Sequence, residues 1–310
     1  MSDAITNTRL GDGKAPLDSP SSASRDFPEP VFVGGSARSG SHAIGGLIGA
    51  HPRYHLVWES RFHCAGGGLT DLLEGETDLD AFCERLLGFW WQRGLKSDAG
   101  LHRVIDRPAL EQAVAAFRSA FARDRPEAAR ELVRAVLDPC AARAGKPSWV
   151  DISGPNLPSA VVLAQLFPDA RFINMVRDGR AVTAAILRKR DMSDDREQAF
   201  EHWLRRVERS HAALDALPAG SALTVSLEDL AANDREATFD RLVQFLQVED
   251  PSEMRDHFDN EIRAERAHIG EWRERVAPAD ARWIDRRYRR ELRRLRREGV
   301  TWIPTPERSA

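Results

Sequence analysis

Apolar residues along the chain fall into two alternating kinds of run. Short β-branched and aromatic runs bounded by glycine or proline read as buried strands, whereas longer stretches with apolar residues three and four apart read as amphipathic helices. The first strand is Val31-Phe32-Val33, which follows Pro28 and Pro30 and breaks at Gly34-Gly35. A helix comes next, with Ile44, Leu47 and Ile48 on one face, and stops at His51-Pro52. Strand, glycine loop, helix is the opening unit of a nucleotide-binding α/β sheet. From Leu69 to about Gly145 the pattern is helical, and residues 109–123 and 127–144 form an αα-hairpin whose first turns accept Pro108 and Pro126. Alternation then resumes with a strand at 149–152, a helix at 159–167, a strand at 170–176 and a helix at 179–189. A long amphipathic helix over 193–217, a strand at 222–226 and helices at 237–246 and 278–298 complete the series. No period repeats. The pattern predicts one α/β domain over 28–303, with a central, mainly parallel sheet flanked by helices and a helical insertion at about 69–145. Residues 1–27 hold too few large apolar groups to offset their ordering entropy and read as a disordered tail; 304–310 read as a short C-terminal tail.

Charge narrows the choice of partners. The 310 residues carry 45 Lys+Arg against 48 Asp+Glu, a net charge of −3, which gives no support to a protein that coats nucleic acid. No apolar run approaches the roughly 20 residues that cross a bilayer. The first 26 positions lack the apolar stretch of a signal peptide, so the expected location is the cytoplasm. Cys64, Cys83 and Cys140 are odd in number and widely spaced, a pattern of neither a disulfide framework nor a metal site.

The loop Gly34–His42 (GGSARSGSH) carries the first candidate chemistry. Glycines let a backbone curl so that several N–H groups and a helix N-terminus point at one anion. Gly35 and Gly40 have the spacing of a Walker A loop, but Ser41 and His42 stand where a nucleoside triphosphatase needs Lys and then Ser or Thr. The cation sits inside the loop instead, at Arg38. A phosphate cradle of this kind suits transfer of a group that needs no metal.

The segment VFVGGSARSGSHAIGGLIGAHP resembles the first motif of sulfotransferases that use 3'-phosphoadenosine 5'-phosphosulfate (PAPS), particularly the bacterial and tyrosylprotein branch. FPDARFINMVRDGRAVTAAI (Phe167–Ile186) is similar to the family's second nucleotide motif, a strand ending in an arginine that grips the 3'-phosphate. VSLEDLAAN and HIGEWRERV are weaker echoes of later motifs, so the likeness runs in order over about residues 31–275. It implies a P-loop-like sulfotransferase fold and metal-independent in-line transfer of a sulfuryl group from PAPS to a hydroxyl acceptor. The backbone amides of Ser39, Gly40, Ser41 and His42 would cradle the 5'-phosphate, Arg38 would neutralise the bridging oxygen, and Arg177 would hold the 3'-phosphate. A strand-end arginine paired with Asp178 is the plainer account of Arg177. Glu59 stands in the region of the family's catalytic glutamate and is the first candidate base, with His63 and His55 as competitors; a surface pair with Arg61 is the plainer account of Glu59.

Two departures matter. The family serine eight positions after the arginine is Ala185 here, which leaves Thr183 or another donor such as Arg266 to replace it, or the 3'-phosphate held less well. Relatives carry a lysine at the position of Ile152, and Lys146 is the nearest lysine in sequence. These departures keep a catalytically silent PAPS-binding protein as an alternative; a small-molecule kinase is a further rival, opposed by the missing Walker lysine. Three features read as structure or remain open. The nine arginines of 278–298 sit around an amphipathic helix, Trp90-Trp91 suggest core packing or an acceptor pocket, and Gly66-Gly67-Gly68 offer either a hinge for a lid or an ordinary loop. The acceptor itself is not encoded in any motif of residues 60–147.

Overall fold

A computed structural model describes residues 29–92, 100–189 and 192–305; the proposed tail over 1–27 and residues 306–310 lie outside the described residues. In chain order the structure runs β1 (Val31–Gly35), α1 (Ser41–Ala50), β2 (Tyr54–Val57), α2 (Leu69–Glu74), α3 (Leu79–Arg85), α4 (Arg107–Phe121) and α5 (Arg125–Arg143). It continues with β3 (Ser148–Asp151), α6 (Ala160–Leu166), β4 (Arg171–Val176), α7 (Gly179–Leu187), α8 (Arg196–Ala216) and β5 (Ala222–Ser226). The last elements are α9 (Arg235–Leu246), α10 (Ser252–Glu261), α11 (Ala264–Ala267) and α12 (Pro278–Arg297). The strands form one parallel sheet in the order β2-β3-β1-β4-β5, with Val31 opposite Val150 on one side and Val33 opposite Ile173 on the other. This is the α/β sheet, flanked by helices, that the sequence predicts.

Strand side chains alternate between two cores, as the pleat requires. Phe32, Trp149 and Phe172 point into a core built with α4, α5 and α6, where Phe32 stacks on Phe172 at 5.5 Å and meets Trp149 edge-on at 5.4 Å. Val31, Val33, Val150, Ile173 and Met175 face the opposite core, closed by α1, α9 and α10. Trp90 is buried in the first core. Both hairpin helices start as expected, with Asp106 and Asp124 accepting capping bonds from Ala109 and Glu127 amides and proline in the first turn.

β1 lies at the centre, with β3 on one side and β4 on the other. In such sheets ligands occupy the crevice beyond the carboxyl ends of strands where the order of connection reverses. The loops after β1, β3 and β4 meet there, and two glycines let them do so. A Cβ on Gly34 would strike Leu157, and one on Gly35 would strike the Met175 carbonyl. Gly35 also has φ 134°, a region that is essentially restricted to glycine. Gly35→Ala should therefore destabilise the protein by at least about 2 kcal/mol, a fall of several degrees in melting temperature. An unchanged melt would show that the strand end tolerates a side chain.

Candidate active site

The loop from Ser36 to Gly40 is closed by its own backbone. Ser39 donates both its amide (3.3 Å) and its hydroxyl (2.6 Å) to the Ser36 carbonyl, and Arg38 and Gly40 take left-handed conformations at φ 66° and 97°. α1 then begins at Ser41 with no side-chain cap, so its first amides have no partner within the helix. Gly40, Ser41, His42 and Ala43 line a cleft of about 430 Å³ together with Arg38. Ser39 is fully buried with its amide already used, which corrects the expectation that it helps to cradle an anion.

Among the described residues the cleft is lined by seven Arg and Lys side chains against two glutamates. No group of three or more His, Cys, Asp or Glu among them could hold a metal ion. Arg177, just past β4, donates from Nη1 to the Arg38 carbonyl (3.1 Å) and from Nη2 to the Ala267 carbonyl (2.7 Å), while its buried Nε has no partner. Burial holds this guanidinium below the usual arginine range. Asp178 caps the Arg180 amide at 2.8 Å and pairs with the Arg180 side chain. Arg180 reaches Asp285 at 2.7 Å and lies between the rings of Trp272 and Tyr288. Glu228, from the VSLEDL segment, accepts from the Asp178 amide at 2.9 Å and from Ser226 Oγ at 3.1 Å. So Arg180 is saturated within the fold, whereas Arg177 lines the cleft and keeps one buried donor without a partner.

The opposite wall carries Glu59, on a turn after β2. Glu59 and Arg61 both have positive φ (44° and 56°), and the residue between them is pinned. The Ser60 amide and hydroxyl donate to Asp151 Oδ2 at 3.2 and 2.8 Å, and the Arg61 amide donates to Ser153 Oγ at 3.2 Å. Glu59 thereby meets His42 Nε2 at 3.1 Å and Arg61 Nη2 at 3.0 Å, so it bonds to the loop helix as well as to the expected Arg61. Trp58 is half-exposed and sets its ring edge-on to His42.

Several candidates face elsewhere. His63 is fully buried, with Nε2 on Asn156 Oδ1 at 2.9 Å and Nδ1 on Ser60 Oγ at 3.3 Å, so it supports the turn and is absent from the cleft. His55 meets Cys140 Sγ on the edge strand, where burial lowers its basicity. Thr183 is buried in α7 and gives its hydroxyl to the Gly179 carbonyl at 2.7 Å, so it does not replace the missing serine. Arg266 lines the cleft and pairs with Glu261. Lys146 bonds the carbonyls of Gly49, His51 and Tyr54 at the far end of α1, well away from the loop after β3. The amides of Gly66 and Gly67 are tied to Asp71 Oδ2 at 2.9 and 2.5 Å, so this glycine run is an anchored loop. Sequence reading missed Lys189, His202 and Arg206, which reach the cleft from the end of α7 and from α8. On an amphipathic helix such residues carry no signal beyond their polarity.

The cleft thus offers unpaired helix amides beside Arg38, with the Arg177 guanidinium in its wall, groups that suit an anionic ligand. The model of the sulfotransferase family matches residues 30–252. A Caenorhabditis briggsae protein named as a protein-tyrosine sulfotransferase is 24% identical over 239 residues, covering 76% of this chain and 71% of its own length. A Drosophila melanogaster protein-tyrosine sulfotransferase is 25% identical over 234 residues, 73% of this chain but 39% of its own length. The sulfotransferase domain of the Synechococcus PCC 7002 olefin synthase superposes with a TM-score of 0.49 at 18% identity, over 88% of this chain and 98% of that one.

Glu228 yields a pH-dependent expectation. Burial raises its carboxyl pKa above the ordinary value. Its contribution to stability is therefore complete below the unfolded pKa of about 4.3 and is lost as pH rises through the folded value. Glu228→Gln keeps an acceptor for the Asp178 amide and removes the buried charge. The variant should match the wild type in melting temperature at low pH and gain on it above the ordinary carboxylate range. A variant that loses ground as pH rises would mean that the charge on Glu228 stabilises the fold.

Proposed function

The chain belongs to the sulfotransferase family, and on that premise we propose that it transfers a sulfuryl group from PAPS to a hydroxyl acceptor by a metal-independent in-line route. The observation that carries this reading is the meeting of Arg38, Arg177 and the uncapped start of α1 at one mouth of the parallel sheet. The bound donor supplies an SO3 group that leaves its 5'-phosphate oxygen as an acceptor oxygen attacks.

The protein's part is to position and to neutralise, as in phosphoryl transfer. The amides of Gly40, Ser41 and His42 hold the 5'-phosphate. Arg38, on its left-handed turn, faces the oxygen on which charge develops. Arg177 offers Nε to the 3'-phosphate, and Arg266 stands at the same side of the cleft once released from Glu261. Glu59 takes the acceptor proton, oriented by its bonds to His42 and Arg61. Peptidyl tyrosine is the first acceptor to test, because the two relatives above are named for it; simple phenols and carbohydrate hydroxyls follow.

Calorimetry with the spent nucleotide, 3'-phosphoadenosine 5'-phosphate (PAP), then turnover of labelled PAPS over an acceptor panel, tests the reading. Binding of PAP with transfer to one acceptor class is the expected result. Binding of Mg-ATP in place of PAP would overturn it in favour of a kinase, and PAP binding without turnover on every acceptor would favour a silent binder. Arg38→Ala should keep the fold and lower turnover by a factor of about 10²–10³, the cost of one preorganised donor; near wild-type turnover would remove Arg38 from the chemistry. In Glu59→Gln the rise of kcat/KM with pH should vanish along with most of the rate. A retained rise would assign the base to another residue.

A further inference from the structure

The cleft wall formed by α8 holds a cation without a counter-charge. Arg206 is partly buried, yet among the described residues it has no carboxylate partner, and its hydrogen bond is a long one of 3.4 Å from Nη1 to the Gly154 carbonyl. Its charged neighbours are themselves cations, Arg61 and Arg209, and burial together with Arg61 pushes its pKa down to about 10. Arg61 in turn leaves a buried Nε without a partner. Arg180, more deeply buried, has two aspartates. Taking a cation out of water is costly unless an anion compensates it, and among the described residues no carboxylate does so for Arg206.

Its place says which part of the ligand. Gly154 packs against the Gly35 carbonyl at the end of β1, and Ser36 of the phosphate loop lines a small cavity together with Arg206. Arg206 also shares the main cleft with Arg38 and Glu59. The loop after β3 contributes Ile152 to that cleft, an apolar side chain. Cationic groups on this side of the phosphate loop thus come from α8, as Arg206, and from the turn after β2, as Arg61.

Resting on the function proposed above, we propose that Arg206 binds the sulfuryl oxygens of the donor, between Arg61 and the phosphate loop. In the transfer the acceptor O–S bond forms and the bridging S–O bond breaks, with its electron pair passing to the phosphate oxygen and the acceptor proton to Glu59. Arg206 neither gives nor takes a proton; it neutralises the three oxygens that travel with sulfur. A guanidinium presents a planar fork suited to such oxygens.

PAP lacks the sulfuryl group, so comparing the two nucleotides by calorimetry without acceptor isolates this contact. Arg206→Met should bind PAP within about twofold of wild type and PAPS about tenfold or more weakly, in keeping with loss of a charged hydrogen bond. Arg206→Lys should recover part of the difference. In the absence of nucleotide Arg206→Met should melt at or above the wild-type temperature, since an uncompensated cation has gone. Equal weakening of both nucleotides, unchanged PAPS affinity with only the acceptor KM raised, or a melt lowered by several degrees would each overturn the assignment. A wild-type protein that binds neither nucleotide would overturn the proposed function beneath it as well.

Discussion

The site depends on how closely chain can pack against the last two residues of β1. Gly34 and Gly35 present bare backbone, so Leu157 from the loop after β3 and the Met175 carbonyl of β4 close on them from either side. With β3 and β4 drawn in, the loops that follow all three strands open onto one cleft, and Arg177 lies near enough to donate to the Arg38 carbonyl. A side chain at either glycine would separate the strands at the point where their loops must converge. The site is thus a property of the sheet's centre, and the helices supply its walls.

Charge is sorted in space. The net charge of the chain is −3, yet among the described residues the cleft gathers seven Arg and Lys against two glutamates, while other acids are paired elsewhere. On α12, Glu291 pairs with Arg287, Arg290 and Arg294, and Arg294 also meets Glu208 and Glu298. These pairs, centred on the buried Glu291, neutralise a helix that would otherwise look like a nucleic-acid surface. The same sorting distinguishes Arg177 from Arg180, two near-neighbours in sequence with opposite fates. Arg180 turns into the fold, where Asp178, Asp285, Trp272 and Tyr288 satisfy it; Arg177 turns to the cleft and retains an unbonded Nε.

The central strands were legible because a parallel strand buried on both faces is a continuous apolar run, and the glycine loop was legible through its spacing. β2 was not. It is a four-residue edge strand whose His55 and Leu56 are only partly buried, directly after Pro52-Arg53, and neither its length nor its pattern separates it from a loop. The site was half legible for a related reason. Spacing says which residues are near in the chain but not which way a side chain points once a turn enters the left-handed region. His63 lies close to Glu59 in sequence, and its ring turns inward to Asn156. Arg206 is the converse, an arginine on the polar face of an amphipathic helix that sequence reads as solvated and that packing encloses.

The turn that carries Glu59 is where stability and chemistry meet. Two non-glycine residues with positive φ flank Ser60, at a cost of about 1–3 kcal/mol each, and such a turn persists only if its surroundings determine it. Asp151 does so. Fully buried at the end of β3, its carboxylate accepts from the Ser60 amide and hydroxyl, the Ser153 amide and Asn156 Nδ2. A buried carboxylate with this many donors, and with His63 Nε2 3.7 Å from its Oδ1, is satisfied in place, so it can act as a fixed post. The neighbouring glycine run, bound to Asp71, adds no freedom. Glu59 is therefore held against His42 by the rigid end of a central strand, and its placement requires no lid to close over it. In the transfer proposed above, a base held in this way would meet an acceptor hydroxyl between itself and the phosphate loop, in a gap bounded by the ends of β1 and β3.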